Sequence, residues 1–553
     1  MKDAAGYRTL GFLVVLEVHT VLVANRGEIA LRIFRACAAD GLAAVAVVAP
    51  DDQGALHGRS ADATVEIASY LEPGEIVRAA REAGADAVHP GYGFLSESAE
   101  LAEAVLAAGL TWIGPPPAAL RAGGDKLAAK RTAEEAGVPV LPSGTPEEVG
   151  LPLLVKAAAG GGGRGMRIVR DAAELDAAVE AARREALAAF GDDTVFFERY
   201  LERPRHVEIQ LLADTHGTVV SLGERECSIQ RRHQKVLEES PSAAVDPGLR
   251  ARMSEAAVAF ARAIGYVSAG TAEFVLDGRD FYFLELNARI QVEHPVTELV
   301  TGVDIVREQL RIARGEKLVA HRHEPLGHAV EVRLYAEDPR TFFPQAGRIE
   351  RLRLPASIRV DAGVADGDEI GTSYDPLIAK LIAYASTRAE AYDRLAAALR
   401  ETEVAGVTTN LPFLRWLVAQ PLVRAGRTTT AFLTEHPPLS ETAPRTADGV
   451  WSGGWRLNLA APPPRSVPSI DGAASSSGER AEQSTVTAPM PGTVIKVLTE
   501  PGAHVTARQP LVVLEAMKME TPLVSPYDAT VRAVHVAEGD RVAGGAVLVE
   551  LDE

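Results

Sequence analysis

One sequence pattern occurs twice in residues 488–553, and Gly502 of the first copy recurs as Gly539 of the second, 37 residues later. Alternating apolar residues around a glycine turn predict β-hairpins, so the two halves are expected to close into a small all-β barrel. Lys518 lies on the turn between the halves, where a rigid hairpin tip would present it for modification. The other matching positions are Val494, Val497, Val505 and the apolar run 511–514, repeated as Val531, Val534, Val542 and 548–551.

The residues next to Lys518 indicate which modification this is. Met517-Lys518-Met519 resembles the biotin form of the biotinyl/lipoyl domain, whereas lipoyl domains typically flank the lysine with Asp and Ala. The resemblance implies that a biotin protein ligase attaches biotin covalently to Lys518. For an isolated lysine, the alternative is an ordinary lysine on an exposed turn. Here the surrounding repeat favours a carrier domain.

The composition of the chain limits the classes of partner. A length of 553 residues predicts three to five domains. The formal net charge of −18 argues against nucleic acid as a partner, so local cationic groups have to hold any anionic substrate. Cys37 and Cys227 are the only cysteines, which argues against a disulfide framework and a cysteine metal site and fits a reducing cytoplasm.

The first residues are interpreted as an N-terminal extension. The apolar run 10–16 is faintly similar to the core of a signal peptide, but it stops at Glu17 and lacks a small-residue cleavage pattern. No other segment is apolar over a length that could span a membrane. We therefore expect a cytoplasmic protein with no membrane partner.

Alternating strand and helix patterns predict a fold of the α/β and α+β classes. Residues 21–24 are typical of a buried strand, the apolar residues of 29–37 fall at helical spacing, and 44–48 form the next strand. This order makes a parallel βαβ unit in an open α/β domain, with a crevice beyond the carboxyl ends of its strands. The predicted divisions are an N-terminal extension 1–19, the α/β domain 20–126, a lid domain 127–200, a mixed domain 201–440, a linker 441–487 and the all-β domain 488–553.

The predicted linker is rich in Pro, Ser, Ala and Gly. A random coil of ~24 residues spans roughly 25–30 Å, which would let Lys518 move between distant sites. Trp451 and Trp455 are exceptions to this composition. They suggest docking on another surface, with packing on the preceding domain as the alternative.

A glycine run predicts a phosphate-binding loop. Gly160, Gly161, Gly162 and Gly163 follow the strand-like residues 153–155, and the backbone amides of such a run can lie along a phosphate chain. The run matches neither a Walker loop nor the dinucleotide fingerprint, and flexible loops can have the same composition. The glycines alone are therefore weak evidence.

Two acidic residues further along strengthen the prediction. Glu273 and Glu285 lie on strand-like runs joined by the turn 277–280, and Asn287 is on the same face as Glu285. Oxygen ligands facing one another across a hairpin are suited to a Mg²⁺ ion that bridges nucleotide phosphates. Taken alone, either glutamate is also compatible with an alternative to a metal ligand, a solvent-facing acid on an edge hairpin.

Several longer segments together resemble the biotin carboxylase member of the ATP-grasp superfamily. They are residues 23–30, 89–96, 124–126, the glycine loop, 205–210, 230–235 and 287–295. With the carrier domain, the resemblance covers the chain except 1–19 and 441–487. Two departures are Ala159, in place of the usual fifth glycine, and a shorter segment 138–156, which predicts a trimmed lid helix. Neither departure removes a catalytic group, and both leave the effect on lid motion open.

The resemblance implies a role for individual residues. ATP would be bound by Lys126, Lys156, the four glycines, Glu198, Leu201, His206, Gln230 and His233. Mg²⁺, or Mn²⁺ in its place, would be held by Glu273, Glu285 and Asn287. Bicarbonate would be held by Lys235, Arg289, Gln291 and the Val292 backbone. Glu293 would be the base and Arg333 would face the biotin ureido oxygen, so the expected catalytic residues are Glu293, Arg289, Arg333 and Lys235.

The sequence therefore predicts the α-subunit of an acyl-CoA carboxylase, which uses ATP and bicarbonate to carboxylate its own biotin. Residues 441–487 cannot hold a carboxyltransferase, so a separate β-subunit is expected and the protein should be a hetero-oligomer. One alternative is the same reaction serving another acceptor, such as pyruvate. The other is a lipoyl-type carrier joined to an ATP-grasp ligase, against which Met517-Lys518-Met519 and residues 289–293 argue.

Overall fold

The structure is a computed structural model of the chain. It describes residues 17–158, 166–190, 192–231, 234–318, 324–438, 485–490, 492–516 and 519–552. The predicted docking residues Trp451 and Trp455, with almost all of the predicted linker, lie outside the described residues, as does Ala159.

The N-terminal part folds around the predicted open parallel sheet. Its strands are β1 (Thr20–Val23), β2 (Ala43–Val48), β3 (Ala63–Glu66), β4 (Ala87–His89) and β5 (Thr111–Trp112), in the order β3-β2-β1-β4-β5. Its helices are α1 (Gly27–Ala39), α2 (Leu56–Ser60), α3 (Pro73–Glu82), α4 (Ala99–Ala107) and α5 (Pro117–Gly124), with a 3₁₀ helix at Pro50–Asp52. All neighbouring strands are parallel. The Asn25 side chain, after β1, donates to the Pro90 carbonyl after β4 (2.7 Å), so these strand ends meet at one crevice.

The next part contains a small antiparallel sheet. Its strands are β6 (Ser143–Gly144), β7 (Leu153–Ala157), β8 (Arg167–Val169) and β9 (Val195–Arg199), in the order β6-β9-β7-β8. Its helices are α6 (Lys126–Glu135), α7 (Pro146–Val149) and α8 (Leu175–Phe190), with a 3₁₀ helix at Ala172–Glu174. The Asp125 side chain accepts a hydrogen bond from the Ala128 amide and so caps α6, which begins at Lys126. In the segment predicted to be shortened, α7 has four residues.

The largest part is built on one antiparallel sheet. It contains β10 (Arg205–Ala213), β11 (Val219–Arg231), β12 (Gln234–Ser240), β13 (Ser268–Asp277), β14 (Asp280–Asn287) and β15 (His328–Tyr335), with α9 (Pro247–Ala263), α10 (His294–Thr301) and α11 (Ile305–Ala313). Then follow β16 (Gly347–Arg348), β17 (Arg351–Arg353), β18 (Arg359–Ala362), β19 (Glu369–Ile370), β20 (Leu377–Ala385) and β21 (Glu403–Ala405), with α12 (Arg388–Glu401), α13 (Leu411–Ala419), α14 (Pro421–Arg424) and α15 (Phe432–Glu435). The eight-stranded order is β14-β13-β10-β11-β12-β15-β20-β18, and β16-β19 and β17-β21 form two separate pairs.

The C-terminal part forms two four-stranded antiparallel sheets. Its strands are β22 (Thr485–Thr487), β23 (Gly492–Val497), β24 (His504–Val505), β25 (Pro510–Ala516), β26 (Met519–Val524), β27 (Ala529–Val534), β28 (Arg541–Val542) and β29 (Val547–Asp552). The two orders are β22-β29-β27-β24 and β26-β25-β23-β28. The first strand begins at Thr485, so the all-β part starts three residues before the predicted boundary at 488. The β-branched residues Thr485 to Thr487 are the first-copy equivalents of the last three residues of β26. Because β26 pairs with β25, the equivalent first-copy run pairs with β29, which is the second-copy equivalent of β25.

The predicted repeat governs the pairing register of these sheets. Gly492 pairs with Val542 in one sheet, and the equivalent residues of the other copy, Ala529 and Val505, pair in the other sheet. The predicted turn glycines have positive φ values, +88° at Gly502 and +93° at Gly539, which glycine adopts without a Cβ clash. The apolar valines of both copies meet in one buried core, as the alternating pattern requires.

None of the described helices is long and apolar enough to cross a membrane. Both cysteines, Cys37 and Cys227, are free and buried.

Candidate functional site

Six neighbouring strands of the large sheet each carry at least one predicted site residue. From one side to the other, the sheet presents Glu285 on β14, Glu273 on β13, His206 on β10, Gln230 on β11, Lys235 on β12 and Arg333 on β15. The turn 288–293 follows β14 directly and leads into α10, which brings Arg289, Gln291 and Glu293 back over the same sheet. Residues far apart in sequence thus share one face of one sheet.

The predicted acidic hairpin is present. β13 and β14 pair antiparallel, and Glu273 lies directly opposite Glu285 in the register. The Asn287 amide donates to Glu273 Oε1 at 2.7 Å. Burial raises the pKa of Glu285, and the neighbouring Glu273 carboxylate raises it further. Glu273 is buried and Glu285 is half-buried, and two neighbouring carboxylates favour a cation between them. Their oxygen atoms match the ligand preference of Mg²⁺. Glu273, Glu285 and Asn287 therefore fit the predicted metal.

The Lys235 ammonium is bound by three carboxylates. Its Nζ lies 2.5 Å from Glu208, 2.7 Å from Glu273 and 2.7 Å from Glu293. Burial alone would lower the pKa of Lys235, but these three carboxylates raise it well above the usual value. The lysine is therefore charged, and it links the acidic hairpin to the turn before α10.

The Glu293 carboxylate is held between two cations. Its Oε1 accepts from Lys235, and its Oε2 accepts from the Arg333 guanidinium at 3.1 Å. Burial opposes ionisation, yet Lys235, Arg333 and Arg225 hold the pKa of Glu293 below its usual range. Arg333 also pairs with the fully buried Glu238, whose pKa burial raises to about 7. Glu293 is therefore ionised at neutral pH, the protonation state that a general base requires.

The turn between β14 and α10 places the other predicted bicarbonate residues. The Gln291 amide donates to Glu273 Oε1 at 3.0 Å, and its oxygen lies 3.5 Å from Lys235 Nζ. Arg289 donates to the Asn287 side-chain oxygen at 2.9 Å and pairs with Glu97 at 3.2 Å. Arg289, Gln291 and Glu293 thus lie beside Lys235 and the acidic hairpin, as predicted.

Some of the predicted ATP residues lie at the small sheet. Lys156, on β7, donates to Glu198 on β9 at 2.5 Å, and Lys130 of α6 donates to the other oxygen at 2.7 Å. Glu198 is thus a buried partner of two lysines, and they hold its pKa below the usual value against the effect of burial. Lys126 begins α6, and burial lowers its pKa. A phosphate chain placed here would meet three cations at one end of the small sheet.

The other ATP predictions divide between the two sheets. Leu201 lies two residues after the end of β9, and His206 Nε2 on β10 lies 3.0 Å from Glu273 Oε2. The Gln230 amide donates to the Cys227 carbonyl at 2.9 Å, and Gln230 is opposite Lys235 in the register. His206 and Gln230 therefore border Lys235 and its carboxylate partners, whereas Leu201 lies just beyond β9 of the small sheet.

Three predicted elements lie outside the described residues. They are the glycines 160–163, His233 and Lys518. The strands on either side are described: β7 pairs with β8 around the glycine segment, and Ala516 of β25 is opposite Met519 of β26. The predicted pairing of the strands that flank Lys518 is thus confirmed, and the glycine run likewise lies between two paired strands.

Several residues of the site are not identified by the sequence analysis. Glu208 and Arg225 are fully buried and form an ion pair with each other at 2.5 Å, and Arg225 also donates to Gln291 at 3.3 Å. Glu208 lies two residues after His206 on β10, so the period-two alternation of a strand could have identified it. Glu97 and Glu238 are brought to Arg289 and Arg333 from distant segments, and no local signal marks them.

Fold and site together define an ATP-grasp type ligase centre joined to a carrier domain, and comparison with known families identifies it further. Residues 17–120 match the biotin carboxylase N-terminal domain, and 125–321 match the ATP-binding domain of the carbamoyl-phosphate synthase L chain. Residues 331–435 match the biotin carboxylase C-terminal domain, and 484–551 match a domain described as biotin-requiring enzyme.

Known proteins match the chain over most of its length. It is 47% identical to a biotin carboxylase of Halalkalibacterium halodurans over 439 residues, which are 75% of this chain and 97% of that protein. It is 40% identical to the biotin-dependent acyl-coenzyme A carboxylase alpha3 subunit of Mycobacterium leprae over 592 residues, 97% of this chain and 99% of that protein. Other relatives are named as propionyl-CoA, methylcrotonoyl-CoA and pyruvate carboxylase subunits.

Among solved structures, the biotin carboxylase domain of Hydrogenobacter thermophilus 2-oxoglutarate carboxylase is similar, with a TM-score of 0.74 and 44% identity. The match covers 76% of this chain and 98% of that one, which was solved with MgADP, ADP and bicarbonate. The chain therefore belongs to the biotin carboxylase family, as an α-subunit of the biotin-dependent carboxylases. It is an ATP-dependent ligase with a C-terminal biotin-requiring domain, as the sequence predicted. The relatives are named for different acceptors of the carboxyl group. Family membership therefore establishes only the half of the reaction that carboxylates biotin.

Proposed function

We propose that this chain is the α-subunit of an acyl-CoA carboxylase of the acetyl-CoA or propionyl-CoA type. It would carboxylate biotin held on its own Lys518, and a separate carboxyltransferase β-subunit would transfer the carboxyl group to the acyl-CoA. The observation that carries the catalytic half is the Glu293 carboxylate between Lys235 and Arg333, next to the acidic hairpin.

The first step would be the activation of bicarbonate. A bicarbonate oxygen attacks the γ-phosphorus of ATP, the bond to the β-phosphate oxygen breaks, and ADP and carboxyphosphate form. Glu293 would accept the bicarbonate proton, and Lys235, Arg289, Gln291 and the Val292 backbone would hold the anion. Lys126 and Lys156 would neutralise the phosphate oxygens. Lys156 and Lys235 are bound by carboxylates in this structure, so substrate anions would have to compete with these partners.

The metal would bind at the acidic hairpin, next to the phosphates of the nucleotide. Glu273, Glu285 and Asn287 would hold Mg²⁺, or Mn²⁺, which neutralises charge on the ATP phosphates when bound. The glycine loop, Glu198, Leu201, His206, Gln230 and His233 would complete the nucleotide site. These roles follow the family resemblance and the placement of Glu198, Leu201, His206 and Gln230 around the lysines and the hairpin.

The second step would take place near Arg333. Carboxyphosphate breaks into CO₂ and phosphate, and the phosphate is a base suited to the ureido proton of biotin. Biotin would supply the ureido nitrogen that takes up the carboxyl group. Arg333 would stabilise negative charge on the ureido oxygen, and its pairing with Glu238 and Glu293 fixes the plane of its guanidinium.

The acyl-CoA acceptor is supported by the extent of the matches. The acyl-CoA carboxylase subunit of M. leprae matches 97% of this chain, including the carrier domain, whereas the pyruvate carboxylase subunit of Methanothermobacter thermautotrophicus matches 75%. We therefore retain pyruvate as the second candidate. We also propose a cytoplasmic hetero-oligomer that receives its biotin from a biotin protein ligase.

The test of the acceptor is to purify the native complex from its source by means of the biotin group and to identify the bound subunit. The complex is then supplied with acetyl-CoA, propionyl-CoA or pyruvate, ATP and labelled bicarbonate. Label in an acyl-CoA product would support the proposal. Label in oxaloacetate alone would replace the acyl-CoA acceptor with pyruvate.

A further inference from the structure

Lys380 is a fully buried cation that none of the proposed steps uses. It lies on β20, where its neighbours in the register are Arg333 on β15 and Asp361 on β18. Its side chain is 0% exposed. Because an ammonium group loses its hydration when it is buried, it persists there only with close anionic or polar partners.

The partners of Lys380 come from three separate segments of the chain. Its Nζ donates to the Val292 carbonyl at 2.8 Å. It also lies 3.1 Å from Glu28 Oε1, at the start of α1, and 3.8 Å from Asp361 Oδ2. The hydroxyl group of Tyr92 donates to the same Glu28 oxygen at 2.5 Å. One lysine thus ties the N-terminal α/β part and the large sheet to the turn that precedes α10.

The contact with Val292 bears on the proposed base. The Val292 carbonyl and the Glu293 amide nitrogen belong to one planar peptide unit, so a fixed carbonyl also fixes the start of Glu293. Glu293 is the N-cap residue of α10, with φ −83° and ψ 8°. Its carboxylate is held by Lys235 and Arg333. Lys380 therefore holds the backbone at Glu293, whereas Lys235 and Arg333 hold the Glu293 side chain.

We propose that Lys380 is a positioning residue for bicarbonate activation. Its ammonium holds the Val292 carbonyl and thereby orients the Val292 peptide groups and the Glu293 carboxylate toward the bicarbonate. The proposal rests on the proposed function, in which Glu293 is the base and the Val292 backbone contacts bicarbonate. It differs from a purely structural role, in which Lys380 would stabilise the fold without affecting the use of bicarbonate.

The test compares the kinetics of Lys380→Met with those of the parent enzyme in the carboxylation of free biotin by the full chain. Since small errors in the placement of reacting groups are costly, kcat/KM for bicarbonate should fall about 10- to 100-fold. The KM for ATP should stay within about threefold, because none of the ATP residues that the structure describes contacts Lys380. Lys380→Arg keeps a charged donor and should recover most of the loss. An unchanged kcat/KM for bicarbonate in a folded Lys380→Met protein would overturn the proposal.

A matched control separates positioning from general stability. Arg388 is a largely buried cation on α12 that likewise pairs with a glutamate, Glu239 (2.7 Å), and donates to a carbonyl, that of Val423 (2.8 Å). Arg388→Met should lower the midpoint of thermal unfolding and leave kcat/KM for bicarbonate unchanged. If both methionine variants reduced kcat/KM for bicarbonate in proportion to their loss of stability, the positioning role would be refuted.

Two further comparisons keep the test decisive. If Lys380→Met fails to fold because Glu28 loses its cation, the measurement is made with Glu28→Gln as parent and Glu28→Gln/Lys380→Met as variant.

A double-mutant cycle of Lys380→Met with Glu293→Gln separates the positioning role of Lys380 from the base role of Glu293. Losses that do not multiply would show that Lys380 acts through Glu293, and losses that multiply fully would refute this. Near-parent turnover of Glu293→Gln alone would instead refute the base role in the proposed function.

Discussion

Replacement of Glu293 by glutamine isolates the charge of the proposed base, because the two side chains have nearly the same shape. The fold should tolerate the change. Lys235 keeps Glu208 and Glu273, and Arg333 keeps Glu238, so neither cation is left without a carboxylate. The glutamine oxygen can accept from one of the two cations, so about one charge-assisted hydrogen bond is lost, worth roughly 1.5–3 kcal/mol of folding stability.

The loss of activity should be much larger than the loss of stability implies. A positioned general base typically contributes about 10²–10⁴-fold to a rate, or roughly 3–5 kcal/mol of activation free energy. Carboxylation of free biotin by Glu293→Gln, at saturating ATP and bicarbonate, should therefore fall by at least ~10²-fold. The affinity for ATP, measured by calorimetry, should be nearly that of the parent. Turnover close to that of the parent would remove Glu293 from the role of base.

Glu331 provides a matched control in the same sheet. Its side chain is fully buried, and neither carboxyl oxygen has a hydrogen-bond partner among the described residues. Burial raises the pKa of Glu331 well above its usual value, which favours the neutral form that glutamine resembles. Glu331→Gln should retain the activity of the parent within about threefold, since no charge is removed. An equal loss in both variants would mean that the assay reports general damage to the sheet.

Further predictions concern the metal, the thiols and the carrier lysine. Glu273→Gln combined with Glu285→Gln should abolish Mg²⁺-dependent ATP turnover, and an unchanged Mg²⁺ titration curve would make these acids structural. Burial raises the pKa of Cys37 to about 12 and that of Cys227 well above its usual value, so a thiol reagent at pH 8 should modify neither cysteine before unfolding and both afterwards. Lys518→Ala should leave carboxylation of free biotin intact but abolish overall carboxylation with the β-subunit, because the carrier loses its attached biotin. Intact mass should show one biotin in the parent and none in this variant, and biotin on another lysine would contradict the assignment.

The parts of the fold that depend on local patterns were predictable from the sequence. The offset of the repeat determines which residues pair in the carrier sheets, so Gly492 opposite Val542 is mirrored by Ala529 opposite Val505. The hairpin that brings Glu273 opposite Glu285 needs only two strands and a short turn.

The interior of the site depends on contacts between distant segments, and these could not be derived from local patterns. Glu208 and Lys235 meet because β10 and β12 both flank β11, and Glu97 reaches Arg289 from the N-terminal part. Sequence alternation indicates which face of a strand a residue lies on, but it does not identify the strand or loop that packs against it. The first carrier strand was assigned to the linker because three residues, Thr485 to Thr487, are too few to show alternation.

The central claim is that this chain by itself transfers carbon from bicarbonate to biotin at the expense of ATP. The most direct test is to incubate the purified chain with ATP, Mg²⁺, isotope-labelled bicarbonate and free biotin, and to follow ADP and labelled biotin together. The account predicts ATP cleavage that requires bicarbonate, is stimulated by biotin and labels the biotin, with no acyl-CoA carboxylated until a β-subunit is added. ATP cleavage that is independent of bicarbonate, with no label on biotin, would contradict it.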